Sequence, residues 1–264
     1  MSQVDTLETS AQIISNQSDL AFLLCGNTSN ASSEIDEILS HISESIDLIV
    51  NEIRAYSQLS RAQQVLYGPF LGRSLLELGA TAIIARIDPF RVLILRGKQK
   101  QTDYEIDKPH KSSIRWQGDV MDKKVDNLWS DKNLENPTRA ILGDYITDVV
   151  LKGCSQILQD ESDEESAGDW YLKFQNYDAQ GLLAHIRQRF LALYSSLSKG
   201  IHHEMVIPVG AVFDDTTIKT LLNDTLYNVS TLALIVNFVP HLYNKGTNEE
   251  SFSRYKLVQQ LEME

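Results

Sequence analysis

The chain has few of the residues that cross-link small proteins or bind metals. Its two cysteines, Cys25 and Cys154, are far apart, and neither has a second cysteine or a histidine at metal-ligand spacing. They therefore form neither a disulfide framework nor a zinc site, and we expect two buried free thiols. Stability must come from apolar packing, for which 264 residues with 42% hydrophobic content are sufficient.

Long hydrophobic segments and targeting signals are also missing. The N-terminus has no basic stretch followed by an apolar core, so we expect no secretory signal. The most apolar late run begins at Leu232, is too short to cross a bilayer, and includes Asn237, Pro240 and His241. These features predict a soluble cytoplasmic protein that does not enter membranes.

Basic residues are in the minority. The chain has 24 Lys and Arg against 36 Asp and Glu, which gives a net charge of -12. Such a chain repels a polyanion on average, which argues against general coating of DNA. One local cluster could still bind a phosphate, or could instead complement the dipole at a helix C-terminus. It comprises Arg91, Arg96, Lys98 and Lys100.

Familiar catalytic patterns are absent from the sequence. There is no G-x-S-x-G elbow of a serine hydrolase and no G-x-x-x-x-G-K-[ST] phosphate loop. The adjacent His202 and His203 do not match the zinc pattern H-E-x-x-H, because neighbouring positions face different sides of a helix and Ile207 stands where the second ligand is needed. We therefore expect no metal and no cofactor.

The sequence does contain strong helical periodicity. The clearest helix follows Ser33, where apolar residues three and four positions apart form one stripe over residues 35–53, and Asp36 completes a capping box. Only residues 205–213 could form a short extended segment. Further helices are predicted in residues 72–87, 89–97, 119–129 and 137–158, from residue 178, and in a long final helix capped by Asp214 or Asp215.

Several residues mark the expected ends of these helices. Pro89 suits the first position of a helix that Asp88 can cap, and Gly200 is a plausible end of the helix that starts at 178. Residues 101–116 have no period and predict a connection. The acidic run at 160–169 predicts a solvated loop.

These patterns together predict an all-α helical bundle with additional peripheral helices. Residues 5–24 have a weaker helical pattern that ends at Gly26, so residues 1–30 are interpreted as an N-terminal helical arm that could be loosely attached. Residues 31–264 are interpreted as a single helical domain.

Polar residues concentrate where the helix from residue 178 ends. Its apolar stripe continues to Ile201 and the neighbouring His202, which places this histidine at or beside the core groove. Helix carbonyls end here and favour a cation, so the simplest interpretation is a histidine that satisfies those carbonyls.

The same segment resembles the terminal motif of HEPN-superfamily proteins. Arg73 and Glu77, four residues apart on an earlier helix, are similar to a pair that several HEPN families carry. The likeness covers residues 33–245 as a pattern of helices but only a few residues as a motif. The terminal motif has the form Tyr-x-x-Leu-Ser-x-x-x-His and comprises Tyr194, Leu197, Ser198 and His202.

This resemblance implies a small helical bundle that is often dimeric. Many HEPN proteins are metal-independent endoribonucleases of prokaryotic toxin–antitoxin, abortive-infection and CRISPR-linked defence systems. The implied partners are a second copy, a protein of the same operon, or RNA. However, the active HEPN pattern has an arginine four to six residues before the histidine, and none of residues 195–198 is arginine. If the chain cleaves RNA, the cation must come from Lys199, from Arg73 or from a second subunit.

Two interpretations of the motif remain open. In a ribonuclease, His202 and His203 could act as base and acid, or His202 could act with its copy in a second subunit, while Glu204 orients a histidine. Lys199 would contact phosphate more weakly than arginine, because an ammonium lacks the bidentate fork. In a non-catalytic binding or regulatory protein, the residues instead form a structural network that fixes helix register. That network comprises Arg73, Glu77, Ser198 and His202.

Overall fold

A computed structural model describes residues 17–29, 32–101, 105, 144–159, 168–202 and 213–264. Among these residues every regular element is helical, so the predicted all-α class is confirmed. A 3-10 turn at Tyr56–Gln58 joins the second and third helices. The α-helices are α1 Asp19–Cys25, α2 Glu34–Ala55, α3 Arg61–Ile87, α4 Pro89–Gln99, α5 Asp144–Ile157, α6 Asp169–Phe174, α7 Ala179–His202, α8 Asp215–Asn237 and α9 Asn248–Gln259.

Polar caps fix where two of the predicted helices begin. At α2, the Ser33 hydroxyl accepts from the Asp36 backbone N–H at 3.3 Å, and the Asp36 carboxylate accepts from the Ser33 N–H at 3.0 Å. This is the predicted capping box. At α8, the Asp214 carboxylate accepts from the Thr217 N–H at 2.7 Å, so Asp214 is the cap.

The structure corrects two predictions about helix ends. The Asp88 side chain makes no capping hydrogen bond, although Pro89 does begin α4. The helix α8 is not the final one, because α9 follows with Thr247 as its cap. Only a few residues of α9 face the core, so its apolar stripe is too sparse to stand out in the sequence. Its buried apolar residues are Phe252, Tyr255 and Val258.

The central helix α3 is longer than its sequence pattern indicates. It begins at Arg61, eleven residues before the predicted start at residue 72, and continues through Pro69. Proline inside a helix removes one backbone hydrogen bond and costs about 3 kcal/mol, so the sequence favours a break there. Packing of this turn against α7 offsets that cost.

Gly200 does not end α7, contrary to prediction. It lies inside the helix, is buried, and a Cβ there would come within 2.5 Å of the Pro69 Cβ. A Cβ on Gly72 would likewise come within 2.9 Å of Leu197. These small residues allow α3 and α7 to pack closely in antiparallel orientation, since position 69 meets 200 and position 72 meets 197.

The core is built around α3 and α8. Helices α2 and α7 also pack on α3, α5 packs on α7 and α8, and α9 packs on α8 and α1. Both cysteines are buried free thiols, as predicted, and burial raises the pKa of Cys25 and of Cys154 to about 12. Among the helices of the described ranges, none has the length and apolar content needed to cross a membrane.

The N-terminal helix α1 is part of this core. Every residue from Leu20 to Cys25 is buried, and α1 contacts α2, α3, α8 and α9. The described part of the predicted arm is therefore not a loose attachment. Residues 1–16 lie outside the described ranges. So do the predicted helix at 119–129, the start of the helix at 137, and most of the acidic run and of the extended segment.

The buried side chain of Arg86 connects α1 with the turn between α8 and α9. Its guanidinium is 1% exposed and donates to the carbonyl oxygens of Leu23 at 2.8 Å, Tyr243 at 3.0 Å and Asn244 at 2.9 Å. The Leu23 carbonyl belongs to the last turn of α1, where backbone acceptors lack helical partners and a cation is favoured. Burial lowers the pKa of Arg86 to about 10, so the side chain stays protonated at neutral pH.

Replacing this arginine tests how much stability the contact supplies. We expect Arg86→Met to lower the free energy of unfolding by about 3–5 kcal/mol, because several buried carbonyls lose their charged donor together. Urea denaturation followed by circular dichroism measures the change. Arg54→Met, on an exposed arginine of α2, is the matched control and should change stability by less than about 0.5 kcal/mol. Equal effects of the two substitutions would contradict the role assigned to Arg86.

Candidate functional site at the contact of α3 and α7

The antiparallel packing of α3 and α7 brings four predicted site residues together. The Nε of Arg73 donates to Oε1 of Glu77 at 2.7 Å, and its Nη1 donates to the Ser198 hydroxyl. The guanidinium carbon lies 3.5 Å from the centre of the Tyr194 ring, in cation–π contact. Residues four apart share one helix face, so Glu77 lies beside Arg73 on α3, and Tyr194 and Ser198 lie together on α7.

The hydroxyl of Ser198 completes a chain of hydrogen bonds. It accepts from Arg73 and donates to the Tyr194 carbonyl oxygen, one turn earlier in α7, at 2.5 Å. The Ser198 hydroxyl hydrogen thus points to a backbone carbonyl of α7, and the hydroxyl oxygen faces a side chain of α3. We call the set Arg73, Glu77, Tyr194 and Ser198 the Arg73 network.

The Arg73 network is enclosed on one side and open on the other. The Arg73 side chain is 13% exposed, whereas that of Glu77 is 50% exposed. The carboxylate therefore neutralises the guanidinium from the solvent side, while the ring of Tyr194 covers one face of the cation. Among the described residues, Nη2 of Arg73 has no hydrogen-bond partner.

The predicted histidine site lies only partly in the described region. The described part of α7 reaches His202, one turn after Ser198. The His202 side chain and the whole of His203 and Glu204 lie outside the described residues, so the expected contact between His202 and Arg73 stays a prediction. Lys199 is described, and it is exposed on α7.

Two members of the predicted phosphate-binding cluster pair with acidic residues of α2. Nη2 of Arg96 lies 3.5 Å from Oε2 of Glu37, and Nζ of Lys100 lies 2.5 Å from Oε1 of Glu34. Both carboxylates belong to the first turn of α2, where negative charge is favoured. These ion pairs hold the end of α4 against the start of α2 and reduce the positive charge open to an anion.

The remaining members of the cluster have different environments. Arg91 is 2% exposed, so its guanidinium is not a surface ligand for phosphate. Lys98 donates to Oε1 of Gln101 at 2.8 Å, and with Arg96 it lies in the last turn of α4, where cations complement the helix dipole. The geometry favours the helix-terminus interpretation, and phosphate binding by Arg96 and Lys98 stays a prediction.

The structure also reveals a second polar cluster that the sequence did not indicate. A cleft between α6, α7 and α8 is lined by aromatic and charged side chains, among them His185 and Arg189 on α7 and Asp224 and Tyr227 on α8. His185 and Arg189 are four residues apart on α7, and Asp224 and Tyr227 are three apart on α8, so each pair shares one helix face. Such spacings are common on exposed helix faces, and only the tertiary fold brings the two helices together.

Comparison with known proteins adds no assignment. No protein-family model, no curated protein and no solved structure matches the chain.

Proposed function

We propose that the chain is a HEPN-like helical protein that acts by binding or regulating a partner, and that its Arg73 network is structural. One observation carries this proposal. The guanidinium of Arg73 is already engaged by a carboxylate, a hydroxyl and an aromatic ring. A catalytic cation must instead stabilise the negative charge that develops on a phosphorane. The ion pair with Glu77 reduces what Arg73 can offer to that charge.

The proposal also has energetic support. A mostly buried arginine is tolerated when its hydrogen bonds are made, and a network across two helices then favours one register over its alternatives. The net charge of -12 further opposes binding of a polyanion. The HEPN resemblance supplies the context, a prokaryotic defence or toxin–antitoxin system. The expected partner is a second copy or a protein of the same operon.

A second candidate function is metal-independent cleavage of RNA at His202. Two observations favour it: the described part of α7 reaches His202 one turn after Ser198, and Nη2 of Arg73 has no partner among the described residues. In this reaction a histidine takes the proton of the 2′-hydroxyl, and an acid protonates the 5′-oxygen that leaves. His202 and His203, or two copies of His202, supply these groups, and Lys199 or Arg73 supplies the cation.

The structural role of Arg73 is tested by stability. We expect Arg73→Ala to lower the free energy of unfolding by about 1.5–3 kcal/mol, the range for hydrogen bonds to charged groups. Arg61→Ala, on an exposed arginine of the same helix, should have an effect below about 0.5 kcal/mol. The double variant Arg73→Ala/Ser198→Ala should lose less than the sum of the single losses, because the two side chains share one interaction. Unchanged stability of Arg73→Ala would reject the network.

The catalytic question is decided by incubating the purified protein with labelled RNA in excess chelator. The binding or regulatory proposal expects no cleavage by the wild type. Cleavage that disappears in His202→Ala/His203→Ala but persists in His241→Ala would overturn it in favour of the second candidate. His241 is an exposed histidine outside the site and is the matched control. Identical products from the wild type and the double variant would exclude His202 and His203 as catalysts.

A further inference from the structure

The cleft between α6, α7 and α8 is separate from the Arg73 network. Its volume is about 270 Å³, and its α7 side is formed by the first half of the helix, whereas Arg73 contacts the second half. Binding pockets for drug-sized ligands are usually about 300–1,000 Å³. A ligand of this cleft must therefore be small. The residues that line it come from three helices, the turn between α6 and α7, and the segment after α9, so the cleft is a product of the tertiary fold.

One part of the cleft offers flat, uncharged rings. The rings of Tyr177 and His185 stack with their centres 5.0 Å apart and their planes 29° from parallel, and the Tyr177 hydroxyl lies 3.3 Å from Nδ1 of His185. Burial, together with the nearby charge of Arg189, lowers the pKa of His185, so the imidazole is neutral at physiological pH. The Tyr227 ring lines the cleft from α8. Such surfaces favour contact with another ring.

The other part of the cleft has balanced charges. Arg189 forms an ion pair with Asp224. Lys173 places its ammonium 5.3 Å from the centre of the Tyr227 ring, and neither Lys173 nor Glu262 has an ion-pair partner among the described residues. One cation and one carboxylate are thus available for a ligand. A simple anion would pair with Lys173 but leave Glu262 uncompensated, and a simple cation would leave Lys173 uncompensated.

We propose that this cleft binds a small zwitterion that carries a flat ring, of the class of free aromatic α-amino acids. The ligand carboxylate faces Lys173, the ligand ammonium faces Glu262, and the ring lies against Tyr177 and His185. Each charged group of such a ligand faces a group of opposite charge, and its ring is buried against an aromatic surface. The inference is independent of the function proposed above, because it uses none of the residues of the Arg73 network.

Calorimetric titration of the full chain with L-phenylalanine tests the proposal. Two reference compounds each lack one charge: 3-phenylpropionate has no ammonium, and 2-phenylethylamine has no carboxylate. We expect L-phenylalanine to bind at least about tenfold more tightly than either, which corresponds to about 1.4 kcal/mol. Absence of binding by L-phenylalanine, or equal affinity for either reference compound, would overturn the proposal.

Substitutions then locate the binding site. We expect Lys173→Gln and Glu262→Gln each to weaken L-phenylalanine binding at least about tenfold, because each removes one of the two charges that face the ligand. Lys152→Gln and Glu249→Gln, on exposed residues of α5 and α9, are the matched controls and should leave the affinity unchanged. Equal affinity in all four variants would place the ligand elsewhere and refute the assignment of the cleft.

Discussion

The contact on which the rest of the structure most depends is made by Arg86 at the end of α3. Its buried guanidinium donates to backbone carbonyls in the last turn of α1 and in the turn between α8 and α9. Arginine suits this position because its planar group presents five donors in fixed directions, which a lysine ammonium cannot do. The backbone carbonyl of Arg86 also accepts from the Tyr243 N–H at 2.9 Å. The first described helix and the turn between α8 and α9 therefore meet at one residue.

A second constraint is the close approach of α3 and α7. Gly72 and Gly200 lack the Cβ atoms that would separate the helices, and Pro69 fills the space beside Gly200. The Arg73 network depends on this spacing, because a wider separation would move the Arg73 guanidinium away from Tyr194 and Ser198. Residues with no polar chemistry thus determine whether the polar residues can meet. The proline is unfavourable for the isolated helix but compatible with the packed one.

The sequence predicted those features that depend on residues close together in the chain. The all-α class, the capping box at Ser33 and the cap at Asp214 each follow from a few neighbouring positions. The pairing of Arg73 with Glu77 also follows from local spacing. Arg86 could not be recognised, because its acceptors are backbone carbonyls far away in the sequence. The prediction that Gly200 ends α7 was wrong for the same reason. In the sequence alone, a glycine that ends a helix cannot be distinguished from one that packs against a neighbouring helix.

The position of Glu77 constrains any reaction at the Arg73 network. A phosphate that approached Arg73 would meet a half-exposed carboxylate already 2.7 Å from Nε, and the two negative groups would repel each other. Displacing Glu77 would give up one charge-assisted hydrogen bond for another, with little net gain. Phosphate binding there would therefore need a further cation, which an exposed lysine such as Lys199 or a second subunit could supply. These contacts support the proposal that Arg73 holds α3 and α7 together and does not hold a substrate.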